Sequence, residues 1–289
     1  MGTMRKSADL LKQSFSVLRQ DKQLVVFPLL SAVACAAVLV SFLVPTFATG
    51  LIQFASTKTG HREVSAATKP LLIAISFAYY FVNYTVIVFF NSALVSCALE
   101  RFDGGKPTVR SGLEAAARLL PQILAWSLVA ATVGTILRAL EERVGFLGKL
   151  AVGFVGFAWT IATYFVVPVL VVEKAGPIDA VKRSATILKD HWGTSLVSNI
   201  GLGLINFLVV VACVLPLIAG GIVSGAMETT AVPVIIGGSV TVFLLVIFGL
   251  VTSAMQSILV AALYRYAAGA GAPAGFDSEA MKRAFAAKK

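Results

Sequence analysis

The sequence predicts an all-α, polytopic integral membrane protein with six transmembrane helices, and three observations lead there. The 289 residues are 58% hydrophobic and only 13% charged, with a mean hydropathy of +0.88. An ordinary soluble domain is roughly 45–50% apolar and about 25% charged. Six stretches contain no Asp, Glu, Lys or Arg: residues 23–57, 70–99, 119–137, 150–172, 191–227 and 229–264. About 20 apolar residues cross a hydrocarbon core of about 30 Å, so each stretch holds one span. Finally, the basic residues alternate in density from one connection to the next, which fixes an orientation.

The spans are predicted at 25–49, 71–98, 119–139, 149–172, 196–220 and 233–263. Gly220, Gly221, Gly225 and Pro233 gather around Glu228, the one charge between the last two stretches, and predict a turn there. Of the 24 Lys and Arg residues, six (Lys58, Arg62, Lys69, Arg138, Arg143 and Lys149) fall on the opposite side, between spans one and two and between spans three and four. The remaining eighteen lie before the first span, between spans two and three, between spans four and five, and in the C-terminal tail. Basic residues are retained in the cytoplasm, so both termini are expected inside, in a cell membrane. The first apolar stretch follows a 22-residue polar leader and is too long for a signal-peptide core, so it is expected to stay as a helix. Cys35, Cys97 and Cys213 all fall within spans and imply no disulfide framework.

Three short segments precede the first, third and fifth spans, each with apolar residues three and four apart and charges between them. The first carries Met4, Ala8, Leu11, Phe15 and Leu18; the second Val109, Leu113, Ala116 and Leu120; the third Ile178, Val181, Ala185 and Leu188. Such spacing makes one apolar stripe along a helix. Thr108 or the Ser111-x-x-Glu114 motif is a suitable start for the second, and Pro177 for the third. All three are expected on the cytoplasmic side. They suggest a unit of amphipathic helix, span, outer turn and span, repeated with divergence at 1–106, 107–175 and 176–275 of one membrane domain. A basic tail, 276–289, follows. Gly104-Gly105-Lys106-Pro107, Gly176-Pro177 and Gly269 through Pro273 close the units with ordinary helix stops.

The run Ser7 through Lys22 leading into Leu24-Val25-Val26-Phe27-Pro28-Leu29-Leu30-Ser31 resembles the opening of an uncharacterised prokaryotic family of six-span membrane proteins, a domain of unknown function. Ala180-Val181-Lys182-Arg183-Ser184 with His191-Trp192-Gly193, and Ala261-Ala262-Leu263-Tyr264-Arg265-Tyr266-Ala267, resemble the same group. More loosely they resemble the membrane domain beside some glycerophosphodiester phosphodiesterases. The resemblance implies architecture and supplies no activity, and the chain has no room for the phosphodiesterase's hydrolase domain.

Signals of chemistry are sparse. The two histidines, His61 and His191, lie far apart, and no His, Cys or carboxylate cluster suits a metal. No phosphate loop, nucleophile elbow or His-Glu-x-x-His motif is present, so no cofactor and no enzymatic activity are expected. The concentration of cations in a few segments disfavours nucleic acid as a partner. Six amides fall inside spans: Asn83, Asn91, Gln122, Asn199, Asn206 and Gln256. They are expected to join helices, at roughly 0.6 kcal/mol each, or to line a solute path. Ala32/Ala36, Gly153/Gly156 and Gly221/Gly225 offer close helix seams. Pro168 and Pro216 are expected to kink spans. Arg138 is expected to snorkel at an outer helix end near Glu141 and Glu142.

Two roles follow. The first is a non-enzymatic membrane-organising or assembly component whose amphipathic helices bind anionic lipid through Arg5, Lys6, Lys12, Arg19, Arg110, Arg118, Lys182, Arg183 and Lys189. Its partners would be membrane lipids, with a second copy or another membrane protein beside them. The alternative is a small permease or channel with its path between the repeats.

Overall fold

A computed structural model of the chain describes residues 12–49, 69–192, 199–226, 232–279 and 281, with the side chains of all but 69, 190–192, 199–208 and 226. The regular structure in the described residues is helical throughout, with no strand among them. Residues 12–20 form α1, and a 3-10 turn, Lys22–Val25, leads into α2 (Val26–Ala48). There follow α3 (Lys69–Phe102), α4 (Val109–Arg118), α5 (Leu120–Arg143), α6 (Phe146–Ala162), α7 (Val166–Glu173), α8 (Pro177–Trp192), α9 (Asn199–Ala226) and α10 (Val232–Arg265). Among the described residues, five helical runs are long and apolar enough to cross a membrane: Lys22–Ala48, Pro70–Phe102, Leu120–Arg143, Phe146–Glu173 and Val232–Ala270. This is the build of a helical membrane protein. The apolar helix α9 is described to its side chains over Val209–Gly225.

Local chemistry sets the helix ends. Thr108 starts α4 with a reciprocal cap: its Oγ1 accepts from the Ser111 amide at 3.1 Å, and the Ser111 Oγ accepts from the Thr108 amide at 3.0 Å. The Ser111-to-Glu114 alternative is not used, because Glu114 instead pairs with Arg110 at 2.8 Å. Pro177 opens α8 as expected, where its missing N–H costs nothing. Gly104, at φ +83°, turns the chain out of α3, a conformation open to glycine. At the end of α7, Lys174 takes the left-handed position (φ 51°) in place of the expected Gly176.

The fourth predicted span is two helices. Pro168 has no N–H for the Tyr164 carbonyl and its ring crowds that turn, so the helix opens between Ala162 and Val166. By contrast α9 stays helical through Pro216. There the Leu217 N–H donates to Thr241 Oγ1 of α10 at 3.2 Å.

The predicted turn around Gly220 and Pro233 is placed differently. Helix α9 continues to Ala226 and α10 begins at Val232, so both residues lie within helices. A Cβ on Gly220 would clash with the Pro233 carbonyl, and one on Gly237 with the Pro216 carbonyl. The two helices therefore run antiparallel with backbones in contact at two reciprocal points. The seams expected from sequence are not the ones used: Gly153, Gly221 and Gly225 have open space where a Cβ would stand, Gly156 meets only Leu137, and Ala32 and Ala36 are exposed. Glycine spacing marks a face on which backbones can approach, and the partner decides which face is used.

The chain divides into two compact units interleaved along the sequence. One comprises residues 26–97 and 107–186, the other 1–25, 98–106 and 187–289. In the first, the core is built from the second half of α3 (Val88, Ala93, Leu94, Val95, Cys97), the first half of α5 (Ile123, Trp126, Ala131), α7 and the small residues of α4 and α8. Gly112 of α4 lies against Cys97, Phe27 and the Ala93 carbonyl, leaving no room for a side chain. Residues 70–87 of α3 and all of α6 contribute no buried residue. In the second unit the core gathers around Ala254–Tyr264 of α10, with Val17, Leu18, Leu24, Phe102, Phe276 and Met281.

Replacing Gly237 with Ala is expected to cost about 1–3 kcal/mol, the usual range for overpacking, and to lower the unfolding midpoint in detergent. Gly221→Ala, with open space around it, is expected to leave the midpoint unchanged.

Candidate functional site

Two groups of polar residues concern function: the cations of α1, α4 and α8, and the amides of the long helices.

Each of the three short helices buries one side against the protein. Their buried positions are Ser14, Val17 and Leu18 in α1; Gly112 and Ala116, with Leu119 just beyond, in α4; and Ala180, Ser184, Ile187 and Leu188 in α8. The expected stripes share Leu18, Ala116 and Leu188 with these positions, whereas Phe15, Leu120 and Ile178 fall outside them; Leu11 lies outside the described residues. The protein-facing side begins with small residues, and bulky apolar residues stand outside it: Phe15 is 48% exposed, Leu120 39% and Ile178 64%. Small residues are favoured on the inner side because close backbone approach gains dispersion contacts that bulk would prevent.

One of these inner residues has a specific role. Ser184 Oγ accepts from the Phe165 amide at 2.9 Å, with both residues fully buried. Phe165 is the N-cap of α7, at the break that Pro168 imposes. Helix starts carry amides without intrahelical acceptors, and here a side chain from α8 supplies one. Helices α7 and α8 thus fold back on one another, and Arg183 Nε reaches Glu173 Oε1 at 2.9 Å beside this joint. A comparable ion pair in the other unit joins Arg101 to Asp21 at 2.8 Å, with Arg101 also donating to Gln20. Arg265 pairs with Asp103 at the end of α10.

The expected lipid-binding cations therefore divide. Arg183 is held by Glu173, Arg110 by Glu114 and Lys182 by Asp179 at 3.8 Å. Lys12, Arg19, Arg118 and Lys189 are exposed and have no ion partner among the described residues. Arg5 and Lys6 lie outside the described residues.

Of the amides, Asn83, Asn91 and Gln122 are partly buried, and their side-chain oxygens are shielded without a hydrogen-bond partner. Gln256 is exposed on α10. The side chains of Asn199 and Asn206 lie outside the described residues. Arg138, expected to snorkel, is 63% exposed, lies 3.6 Å from Glu142 and donates to the Tyr80 hydroxyl of α3, a contact that places α5 beside α3. A cleft of about 340 Å³ lies between α2 and α3, lined mainly by Phe42, Pro45, Thr46, Ala74, Ile75 and Ala78. None of the amides lines it. Among the described residues no group of three His, Cys, Asp or Glu is placed to hold a metal.

Residues 71–275 match the model of the family of unknown function DUF6159. That is most of the chain, from the start of α3 to the turn beyond α10, and the chain belongs to this family. No curated protein matches it, so the looser likeness to the phosphodiesterase membrane domain gains no support.

Ser184→Ala removes the buried acceptor at the α6–α7 break. The expected cost is about 1–3 kcal/mol, since the buried Phe165 N–H loses its acceptor, read as faster hydrogen exchange at the Phe165 amide and a lower unfolding midpoint, with Ser184→Thr retaining most of the protection.

Proposed function

We propose that this member of a family of unknown function is a non-enzymatic, membrane-organising protein. In this reading six helices cross the cell membrane, both termini lie in the cytoplasm, and α1, α4 and α8 lie at the inner headgroup layer and bind anionic lipid. The observation that carries the reading is the pairing of uncompensated cations with exposed bulky apolar residues on the short helices. On α1, Lys12 and Arg19 are three and four residues from Phe15, which places all three on one exposed face. On α8, Lys189 follows the exposed Ile178 by eleven residues, three helical turns, on the exposed side. Arg118 stands two residues from the exposed Leu120 at the start of α5.

A basic helix that also carries apolar bulk settles at the boundary between headgroups and acyl chains. Each basic residue near an anionic leaflet contributes about 1 kcal/mol. The paired arginines belong to the scaffold in this scheme, and the four free cations to the lipid. The three helices also bury comparable positions, Ser14/Val17, Ala116/Leu119 and Ser184/Ile187, at the same spacing. That parallel supports three divergent repeats at 1–106, 107–175 and 176–275.

The permease alternative draws on the shielded oxygens of Asn83, Asn91 and Gln122. The apolar lining of the α2–α3 cleft and the exposure of Gln256 favour the first reading.

Two measurements test the proposal. Full-length protein in micelles should be stabilised more by phosphatidylglycerol than by phosphatidylcholine. The Lys12→Gln, Arg19→Gln, Arg118→Gln, Lys189→Gln variant should lose most of that difference, as should high salt; equal stabilisation by the two lipids would remove the lipid role. Reporter tags at the two ends should both report the cytoplasm, and tags on opposite faces would rule out six spans.

A further inference from the structure

The chain that leaves α10 returns to the chain that enters α2. Gly269 (φ +85°) and Gly271 (φ +78°) turn it off the helix, and a tight turn follows, closed by the Phe276 amide on the Pro273 carbonyl at 3.0 Å. Within that turn Gly275 (φ +90°) lies so near α1 that a Cβ there would stand 3.0 Å from Val17 Cγ2. Two residues on, the Asp277 amide donates to Gln13 Oε1 at 3.2 Å. Phe276, between them, packs edge-on against Phe102 with ring centroids 5.8 Å apart, and both rings are buried. Met281, whose amide donates to the Asp277 carbonyl at 3.0 Å, is fully buried.

These contacts fall on one side of α1. Gln13 and Val17 are one turn apart, and Gln20 and Asp21 continue the same side by a further turn. The Asp21 amide donates to the Val17 carbonyl at 3.1 Å, so helical bonding reaches that far. Arg101 holds Gln20 at 3.0 Å and Asp21 at 2.8 Å. The returning chain therefore grips the first half of α1 and Arg101 its end, while Lys12, Phe15, Ser16 and Arg19 are left exposed. Helices shorter than about 12–15 residues are marginal in water, so so short a helix takes its order from what it packs against.

We propose that residues 273–281 are a strap that clamps α1 to the end of α3 and so fixes which side of α1 faces outward. The strap also ties the entry to the first apolar helix to the exit from the last. Phe276 is its chief anchor, since burial of an aromatic ring outweighs one partly exposed hydrogen bond. Opening such a segment is a local event that leaves the rest of the unit folded. The inference does not rest on lipid binding, because its test reads the motion of α1 alone.

The test compares the full-length protein in lipid bilayers with Phe276→Ala and with a chain ending at Ala272. Amide exchange across residues 13–20 should be about tenfold faster in Phe276→Ala, and faster still in the shortened chain. A nitroxide on Ser16→Cys, with Cys35, Cys97 and Cys213 changed to Ala, should tumble faster in the shortened chain. Ser16 is already exposed with the strap in place, so the label reports movement of α1 and not its uncovering. Gln13→Ala should quicken exchange in the full-length chain and add nothing in the shortened one, where its partner is gone. The Leu217 amide, bonded to Thr241 in the same unit, should keep its protection throughout. Exchange and label mobility in α1 that match the unaltered protein would overturn the proposal. Loss of protection at Leu217 would overturn it as well, since the segment would then be part of the core and no strap.

Discussion

The structure depends on a mismatch of lengths. A helix of 34 residues is about 51 Å long, while the hydrocarbon core is about 30 Å thick. Both α3 and α10 have 34 residues. Tilt absorbs part of such an excess, but the burial pattern points to another solution. In α3, residues 70–87 have no buried position, and burial begins at Val88 and continues nearly to Phe102. In α10 the dense buried run is Ala254–Tyr264. The leading segments, about 18 and 22 residues, are close to what a bilayer covers. The remainder is covered by protein.

The short helices supply that cover in the unit that holds α3 to α8. Helix α4 folds back along the end of α3, with Gly112 against Cys97 and Ala93, and α8 folds back along α7, with Ser184 on the Phe165 amide. Both rely on small residues, because a helix can lie close to another only where side chains do not hold it off. The same rule governs the α9–α10 pair in the other unit, where Gly220 and Gly237 each face a proline carbonyl of the partner helix. The Pro216 and Pro233 carbonyls meet no side chain at these glycines, and Thr241 takes up the Leu217 N–H beside the proline.

Placing small residues inward has an electrostatic and interfacial consequence. The bulky apolar residues Phe15, Leu120 and Ile178 are left exposed beside the cations. Arg101, Arg183 and Arg265 are drawn into ion pairs that tie helix ends together. Such partly exposed pairs are worth at most about 1 kcal/mol each, so they set geometry more than stability. Lys12, Arg19, Arg118 and Lys189 have no ion partner among the described residues.

Much was legible in the sequence because hydrocarbon imposes composition: the absence of charge over twenty or more residues is sufficient to mark a span, and five such helices stand close to their expected limits. The start at Pro177, the cap at Thr108 and the break at Pro168 were also local, set by residues a few positions apart. Only the tertiary structure decided which glycines touch. Gly221 and Gly225 have the same spacing as a true seam, yet the contact uses Gly220 and Gly237, whose partners are 13 to 21 residues away. It also decided which face of each short helix turns inward, since a stripe of large apolar residues satisfies lipid as well as it satisfies protein. Periodicity identifies a side that avoids water. Whether that side meets lipid or another helix depends on shape, and shape at a contact belongs to two segments at once.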